Sequence, residues 1–165
     1  MKIYAYTDSP LGQILMVADG DALHGLYFVG QKYERQPDAG WVESPDDALL
    51  NRTAAQLAEY FAGERTHFDL PLALEGSAFQ RRVWQALTEI PAGKTVTYGS
   101  IARAIGAADS VRAAAAAIGR NPVSIVVPCH RVIGNNGTLT GYAGGLERKR
   151  ALLALEARAH AFVLS

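Results

Sequence analysis

The sequence predicts an α/β N-terminal half followed by a mostly α-helical C-terminal half with a helix-turn-helix. Three observations carry that expectation. The first thirty residues alternate apolar and polar side chains in short runs, as half-buried strands do. Beyond Gly76 the apolar residues recur at helical spacing instead. The charge changes sign at the same point: residues 1–75 hold 12 Asp and Glu against 5 Lys and Arg, and residues 76–165 hold 4 against 11. The zero net charge therefore hides a −7 half and a +7 half. A basic half suits contact with a polyanion, although two surfaces that bind each other or nothing would give the same count. The division is placed at 1–76 and 77–165.

Lys2–Thr7 is the first expected strand, and Ser9-Pro10-Leu11-Gly12 is a turn. Residues 13–18 and Ala22–Phe28 are the next two, joined by Asp19-Gly20-Asp21 as a hairpin. Residues 31–45 are polar and rich in Pro, Asp and Gly, so a surface loop is expected. Residues 46–61 place Leu49, Leu50, Ala54, Leu57, Ala58 and Phe61 on one helical face, and Gly63 ends that helix. Residues 66–72 read as one more strand. Ser77 caps a helix over 78–90 with Phe79, Val83, Trp84 and Leu87 as its stripe. Pro91–94 is a turn. A short helix over 98–105 and a second over Val111–Gly119, capped by Ser110, flank a tight turn at 106–109. Their spacing resembles a helix-turn-helix, a pattern that many all-α packings share. Residues 125–127 form an apolar run stopped by Pro128, Gly141–145 is a glycine-rich loop, and residues 146–157 form the last helix.

The second helix of the pair contains Val111-Arg112-Ala113-Ala114-Ala115-Ala116-Ala117-Ile118. Alanine is the best helix former, so close packing against a neighbour explains it. A helix without bulk could also sit deep in a DNA groove, leaving Arg112 as the long side chain available to enter the duplex. Alanines cannot read base edges, so such binding would show little sequence preference.

No apolar run approaches the roughly 18 residues that span a bilayer. Nothing at the N-terminus resembles a signal peptide, so a cytoplasmic protein without membrane contact is expected. The chain has 1 cysteine, which excludes an intramolecular disulfide and argues against a zinc site. No metal and no cofactor are expected, and no exposed apolar stripe argues against a monomer.

That cysteine lies in Val127-Pro128-Cys129-His130-Arg131-Val132. A lone cysteine is usually buried and inert. Here it follows a proline that ends an apolar run, an imidazole is adjacent, and Arg131 supplies a second cation that can favour a thiolate. Adjacent side chains on regular structure do not face each other, so Cys129 and His130 need a special turn or a bridging water to exchange a proton. A histidine base also needs an orienting acceptor. Glu156 on the last helix is one candidate among several acids.

Pro128-Cys129-His130-Arg131-Val132 resembles the signature of the O6-alkylguanine-DNA alkyltransferases, also called methylated-DNA–protein-cysteine methyltransferases. The resemblance extends in order and spacing to Phe79-Gln80-Arg81-Arg82-Val83-Trp84, Gly93-Lys94-Thr95-Val96-Thr97-Tyr98-Gly99, Arg112 opening the alanine helix, Gly119-Arg120-Asn121-Pro122, Gly141-Tyr142-Ala143-Gly144-Gly145-Leu146 and Leu152-Leu153-Ala154-Leu155-Glu156. It covers about residues 77–157.

The resemblance implies a ribonuclease H-like N-terminal domain and a helical domain that binds double-stranded DNA in the minor groove and flips the damaged nucleotide. It implies a single, irreversible transfer of an alkyl group from O6-alkylguanine, with O4-alkylthymine left open as a second substrate. Cys129 is then the acceptor, His130 its base through a water, Glu156 the group that orients His130, Tyr98 a partner of the departing guanine, and Asn121 a brace. Arg112, Ala113, Ala114, Ala117, Tyr98 and Ser100 are the expected DNA contacts. Val132, Tyr142, Ala143 and Gly144 are the expected pocket. Some members carry serine where this chain has Ala143, so only a backbone group could bond the guanine oxygen there. Two other readings compete: a damage-sensing DNA-binding module with a structural Cys129, and a cysteine hydrolase built on Cys129, His130 and Glu156.

Overall fold

The three N-terminal strands form where the alternation places them, as β1 (Lys2–Thr7), β2 (Ile14–Asp19) and β3 (Ala22–Phe28). The computed structural model describes residues 1–164, with side chains through residue 160; Ser165, the last residue of the 77–165 half, lies outside them. β1 and β2 are antiparallel, with Lys2 opposite Asp19 and Thr7 opposite Ile14. β2 turns into β3 through Gly20 at φ 62°, and a register shift follows Val17. A two-residue strand, β4 (Val42–Glu43), pairs in parallel with the other edge of β1, giving the order β3-β2-β1-β4. It lies inside the stretch expected to be a loop, because two residues are too few to show a period.

The strand expected over residues 66–72 does not form. One parallel bridge joins Leu23 to Leu72, with Leu23 N–H donating to Pro71 O (2.7 Å) and Ala73 N–H to Leu23 O (3.0 Å). Pro71 has no N–H to continue a ladder.

Helix α1 (Ala48–Phe61) starts at Asp47, whose carboxylate accepts from Leu50 N–H (3.0 Å). Its buried face is Leu50, Thr53, Gln56, Leu57 and Tyr60, whereas Ala58 of the expected stripe is exposed. The face is rotated because two polar side chains find partners inside. Gln56 exchanges hydrogen bonds with the backbone of Asp69 (3.0 and 2.9 Å), and Tyr60 reaches Glu156.

Helix α2 (Ala78–Thr88) opens with a capping box between Ser77 and Gln80 and buries Val83, Trp84 and Leu87 as expected. The strand β5 (Val96–Thr97) leads into α3 (Tyr98–Ala104), where Thr97 and Ser100 form a second capping box. Residues 105–110 connect it to α4 (Val111–Gly119). Ser110 precedes α4 but its side chain makes no capping bond. A short strand β6 (Val132–Ile133) pairs in parallel with β5, and α5 (Leu146–Leu164) runs further than the expected 146–157. Among the described residues no helix is long and apolar enough to cross a membrane.

One apolar core crosses residue 76, from Met16, Leu26 and Leu57 to Trp84, Ala117, Val127 and Leu152. The edge of β3 is not left open: Leu26 N–H donates to Pro122 O (2.9 Å) and Ser124 N–H to Leu26 O (3.0 Å). Covering an edge satisfies its unpaired backbone groups. Here it also fastens the segment that leads to Cys129 onto the N-terminal sheet.

Candidate functional site

The apolar run 125–127 is a turn rather than a strand end. Asn121 organises it with three hydrogen bonds: its Oδ1 accepts from Val123 N–H (3.0 Å), and its Nδ2 donates to Val127 O (2.7 Å) and to Cys129 Sγ (3.1 Å). Ile125 sits at φ 73°, a strained conformation for a β-branched side chain. Such strain costs on the order of 1–3 kcal/mol and persists only where surrounding contacts enforce it. The turn delivers Pro128 to a single 3-10 turn, Cys129–Arg131. That tight geometry lets Cys129 and His130 belong to one site although they are neighbours in sequence.

His130 is fully buried, and its Nε2 lies 2.6 Å from Glu156 Oε2. Its Nδ1 is buried with no hydrogen-bond partner among the described residues. Glu156, itself 2 % exposed, is also gripped by Arg131, whose Nε donates to Oε1 (2.8 Å) and whose Nη2 donates to Oε2 (2.9 Å). Arg131 therefore serves the carboxylate and not the thiol, contrary to the expectation that it favours a thiolate. Burial pushes the Glu156 carboxyl up, but the hydrogen bonds from His130 and Arg131 outweigh it and hold it at about 2. Burial lowers the His130 imidazole, and Glu156 works against that. The imidazole is thus held toward its neutral, basic form.

Cys129 is only 6 % exposed, and burial raises its thiol to about 11, with the Asn121 hydrogen bond and the nearby Lys149 charge pulling it down. The resting group is a thiol. At pH 7 its thiolate fraction is about a hundredfold below that of a free cysteine. Iodoacetamide should therefore modify Cys129 at least about a hundredfold more slowly than free cysteine at pH 7, with a rate still rising above pH 9. A plateau near pH 7, followed by mass spectrometry, would show a preformed thiolate instead.

The sulfur nevertheless has an outlet. Cys129 lines a cavity of about 610 Å³ together with Tyr98, Tyr142, Ala143, Ile118 and Arg120. That volume falls in the range that holds a small organic ligand. Tyr98 donates to Thr140 O (3.0 Å), and the Tyr142 hydroxyl is buried. The N-terminal half supplies the remaining lip: Lys32 N–H donates to Ala143 O (3.0 Å), and the Arg120 guanidinium stacks on the Tyr33 ring at 3.8 Å. Tyr33 did not stand out in the sequence, and Arg120 did so only as a member of the segment 119–122, without a role. Two expected pocket residues do not line the cavity. Val132 is fully buried in β6, and Gly144 packs under Tyr142, where a Cβ would come within 2.6 Å of the ring.

Lys149 is a further residue that sequence reasoning missed. It is fully buried, and its ammonium donates to the carbonyls of Val132 (2.5 Å), Thr140 (2.8 Å) and Gly141 (3.1 Å). Burial lowers it to about 8, so at neutral pH it still carries three protons for three carbonyls. It fastens the cavity's glycine loop to β6. A lysine inside an Arg-Lys-Arg run looks like a solvated charge, and only the fold reveals otherwise.

On α4, Arg112 and Ala113 are exposed, as a groove-facing helix requires. Ala114 and Ala117 are not available: they are 0 % and 3 % exposed, and Trp84 Nε1–H donates to Ala117 O (2.8 Å). These two alanines permit close packing of α4 on α2, while the free alanine surface is Ala113 and Ala116. Ser100 is half-buried, and its hydroxyl is engaged in the cap of α3, donating to Thr97 O (2.8 Å).

A sheet half and a helical half that together wrap one thiol, with a His–Glu pair behind it and a ligand-sized cavity before it, define a protein built around a cysteine nucleophile. Comparison with known proteins agrees. Residues 2–74 match the family model for the ribonuclease-like domain of 6-O-methylguanine DNA methyltransferase, and residues 78–158 match the model for its DNA binding domain. The methylated-DNA–protein-cysteine methyltransferase of Mycolicibacterium paratuberculosis is 52 % identical over 155 residues, covering 94 % of this chain and 92 % of that protein. Its counterpart in Methanosarcina acetivorans is 50 % identical over 154 residues, covering 93 % and 97 %. The crystal structure of Mycobacterium tuberculosis OGT in complex with DNA superposes with a TM-score of 0.88 at 46 % identity, covering 95 % of this chain and 94 % of that one. The chain belongs to the methylated-DNA–protein-cysteine methyltransferase family.

Proposed function

We propose that this protein repairs double-stranded DNA by moving an alkyl group, methyl above all, from O6 of guanine to Cys129, once per molecule. The observation that carries the reading is the position of Cys129 Sγ on a 610 Å³ cavity with His130 and Glu156 buried behind it. α4 enters the minor groove, and its short exposed alanines allow a close approach. The damaged nucleotide swings into the cavity at a cost of a few kcal/mol, less where pairing is already weakened. The thiol proton passes through a water to His130 as the S–C bond forms and the O6–C bond breaks. The electron pair goes to guanine O6. Tyr98 leaves Thr140 O to bond the departing base, which stabilises charge where it develops. Asn121 holds the sulfur in line. Because the resting thiol is protonated, its deprotonation by His130 is part of the reaction.

The product is a thioether that nothing in this scheme hydrolyses. Incubation with a duplex containing O6-methylguanine should add one methyl mass to the Cys129 peptide, one per chain. Loss of the lesion with that peptide unmodified would exclude the mechanism. O4-methylthymine enters the same assay as a second substrate. The chain acts as a cytoplasmic monomer without cofactor, and residues 1–76 and 77–165 are its two domains.

Arg112 fills the space that the flipped base leaves. Arg112→Ala should slow transfer from duplex DNA by about tenfold or more, a modest part of the flipping cost. Transfer from the free base O6-benzylguanine, which needs no flipping, should be unchanged. Equal losses on both substrates would remove Arg112 from this role.

A further inference from the structure

Glu156 accepts four hydrogen bonds, one at Oε1 and three at Oε2. Three come from His130 and Arg131, its neighbours at the thiol. The fourth crosses from the other half of the chain: the Tyr60 hydroxyl on α1, 96 residues away in sequence, donates to Oε2 at 2.6 Å, the same oxygen that His130 Nε2 faces at 2.6 Å. Tyr60 is 1 % exposed, and its ring packs against Phe61 and Phe68 at 5.3 and 5.4 Å between centroids. Burial first, and then the charge of Glu156, push its phenol well above the usual range. The proton therefore stays on Tyr60, and the direction of the bond is settled.

We propose that Tyr60 is a positioning residue for alkyl transfer, setting the proton affinity of His130 through their shared Glu156 oxygen. The proposal rests on the reading of Cys129 as acceptor and His130 as base. With Nε2–H directed at Glu156, the imidazole can take a proton only at Nδ1. The more negative Glu156 Oε2 is, the more firmly it favours the imidazolium. Tyr60 withdraws part of that charge and so keeps His130 a neutral base. The other titratable or charged groups around the pair are Cys129 and Arg131 on the 3-10 turn, Tyr142 on the glycine loop and Lys149 on α5. All of these belong to the C-terminal half. Tyr60 is the contribution of the N-terminal sheet domain to proton transfer.

Tyr60→Phe in the full chain keeps the ring and removes the hydroxyl. Single-turnover transfer from the O6-methylguanine duplex should show its acid limb moved up by about one pH unit, with the rate on that limb about tenfold lower. A ¹⁵N-NMR titration of the His130 imidazole without DNA should move in the same direction. Replacing Tyr60 with 3-fluorotyrosine, a stronger donor, should move both the other way. A limb and an imidazole titration that superimpose on the parent's, or a loss equal at every pH with the titration unmoved, would overturn the proposal. If neither protein transfers methyl but the titration moves, Tyr60 does tune His130, and it is the alkyl-transfer reading that fails.

Discussion

Cys129→Ala should abolish alkyl transfer, a loss on the order of a millionfold by the measure of other deleted nucleophiles. The chain has 1 cysteine, so no second thiol can substitute. Of the hydroxyls that line the cavity, on Tyr33, Tyr98, Thr140 and Tyr142, none is a thiol's equal as a nucleophile, and burial raises the Tyr142 phenol well above its usual range. Binding should survive. Arg112 and Ala113, exposed on α4, do not line the cavity that holds the sulfur, and removing one small buried atom costs about 1 kcal/mol of stability, the centre of the range for point substitutions. The affinity for duplex DNA should stay within about threefold of the parent value, which is about 0.6 kcal/mol. Gel-shift titration and mass spectrometry on the same preparation separate the two effects. A variant that still removes the methyl group would show that the cysteine is structural. Turnover of many lesions per parent chain would instead favour a hydrolase.

Glu156→Gln should be the most damaging change away from the sulfur, because one carboxylate serves three buried partners, His130, Arg131 and Tyr60. The amide can no longer stabilise imidazolium at His130, and the wrong tautomer becomes available. A comparable Asp→Asn change beside a catalytic histidine costs about 10⁴-fold in rate, and a loss of about 10³- to 10⁴-fold is expected here. Stability should fall as well. Arg131 is 6 % exposed and would keep its charge without a counter-ion, a situation that costs about 3–5 kcal/mol. Denaturant unfolding measures that second effect, and single-turnover kinetics the first. A variant with parent-like kinetics would mean that His130 is not the base.

The same carboxylate sets an acid limit. Its folded value of about 2 lies below the ordinary 4.5, so the stability it contributes is complete above about pH 4.5 and is lost as pH falls toward 2. The difference corresponds to about 3 kcal/mol. His130 acts in the same direction, since a buried imidazole with a lowered pKa must gain a charge as the acid-unfolded chain forms.

Much of the site could be read from residues alone. The Pro128–Val132 segment marks the thiol and its neighbouring imidazole, and the ordered motifs around it mark Tyr98, Asn121, Tyr142 and Glu156. What failed had a common cause. Ala114 and Ala117 were assigned to DNA because an alanine run is equally suited to a groove and to a neighbouring helix, and only the position of Trp84 decides which face is which. Val132 and Gly144 were assigned to the pocket because they adjoin residues that line it. Arg131 was assigned to the thiol because it is adjacent in sequence, whereas its guanidinium turns to Glu156.

By itself the sequence determined the strand-then-helix order, the sign of each half's charge, and the chemistry available at position 129. Those depend on local periodicity, composition and residue type, which are properties of short stretches of chain. Tertiary structure alone decided that the thiol rests protonated, that Lys149 is interior, and that Tyr60 reaches Glu156. Each of those is a matter of dielectric and of partners brought from distant segments, and neither is written at the residue concerned.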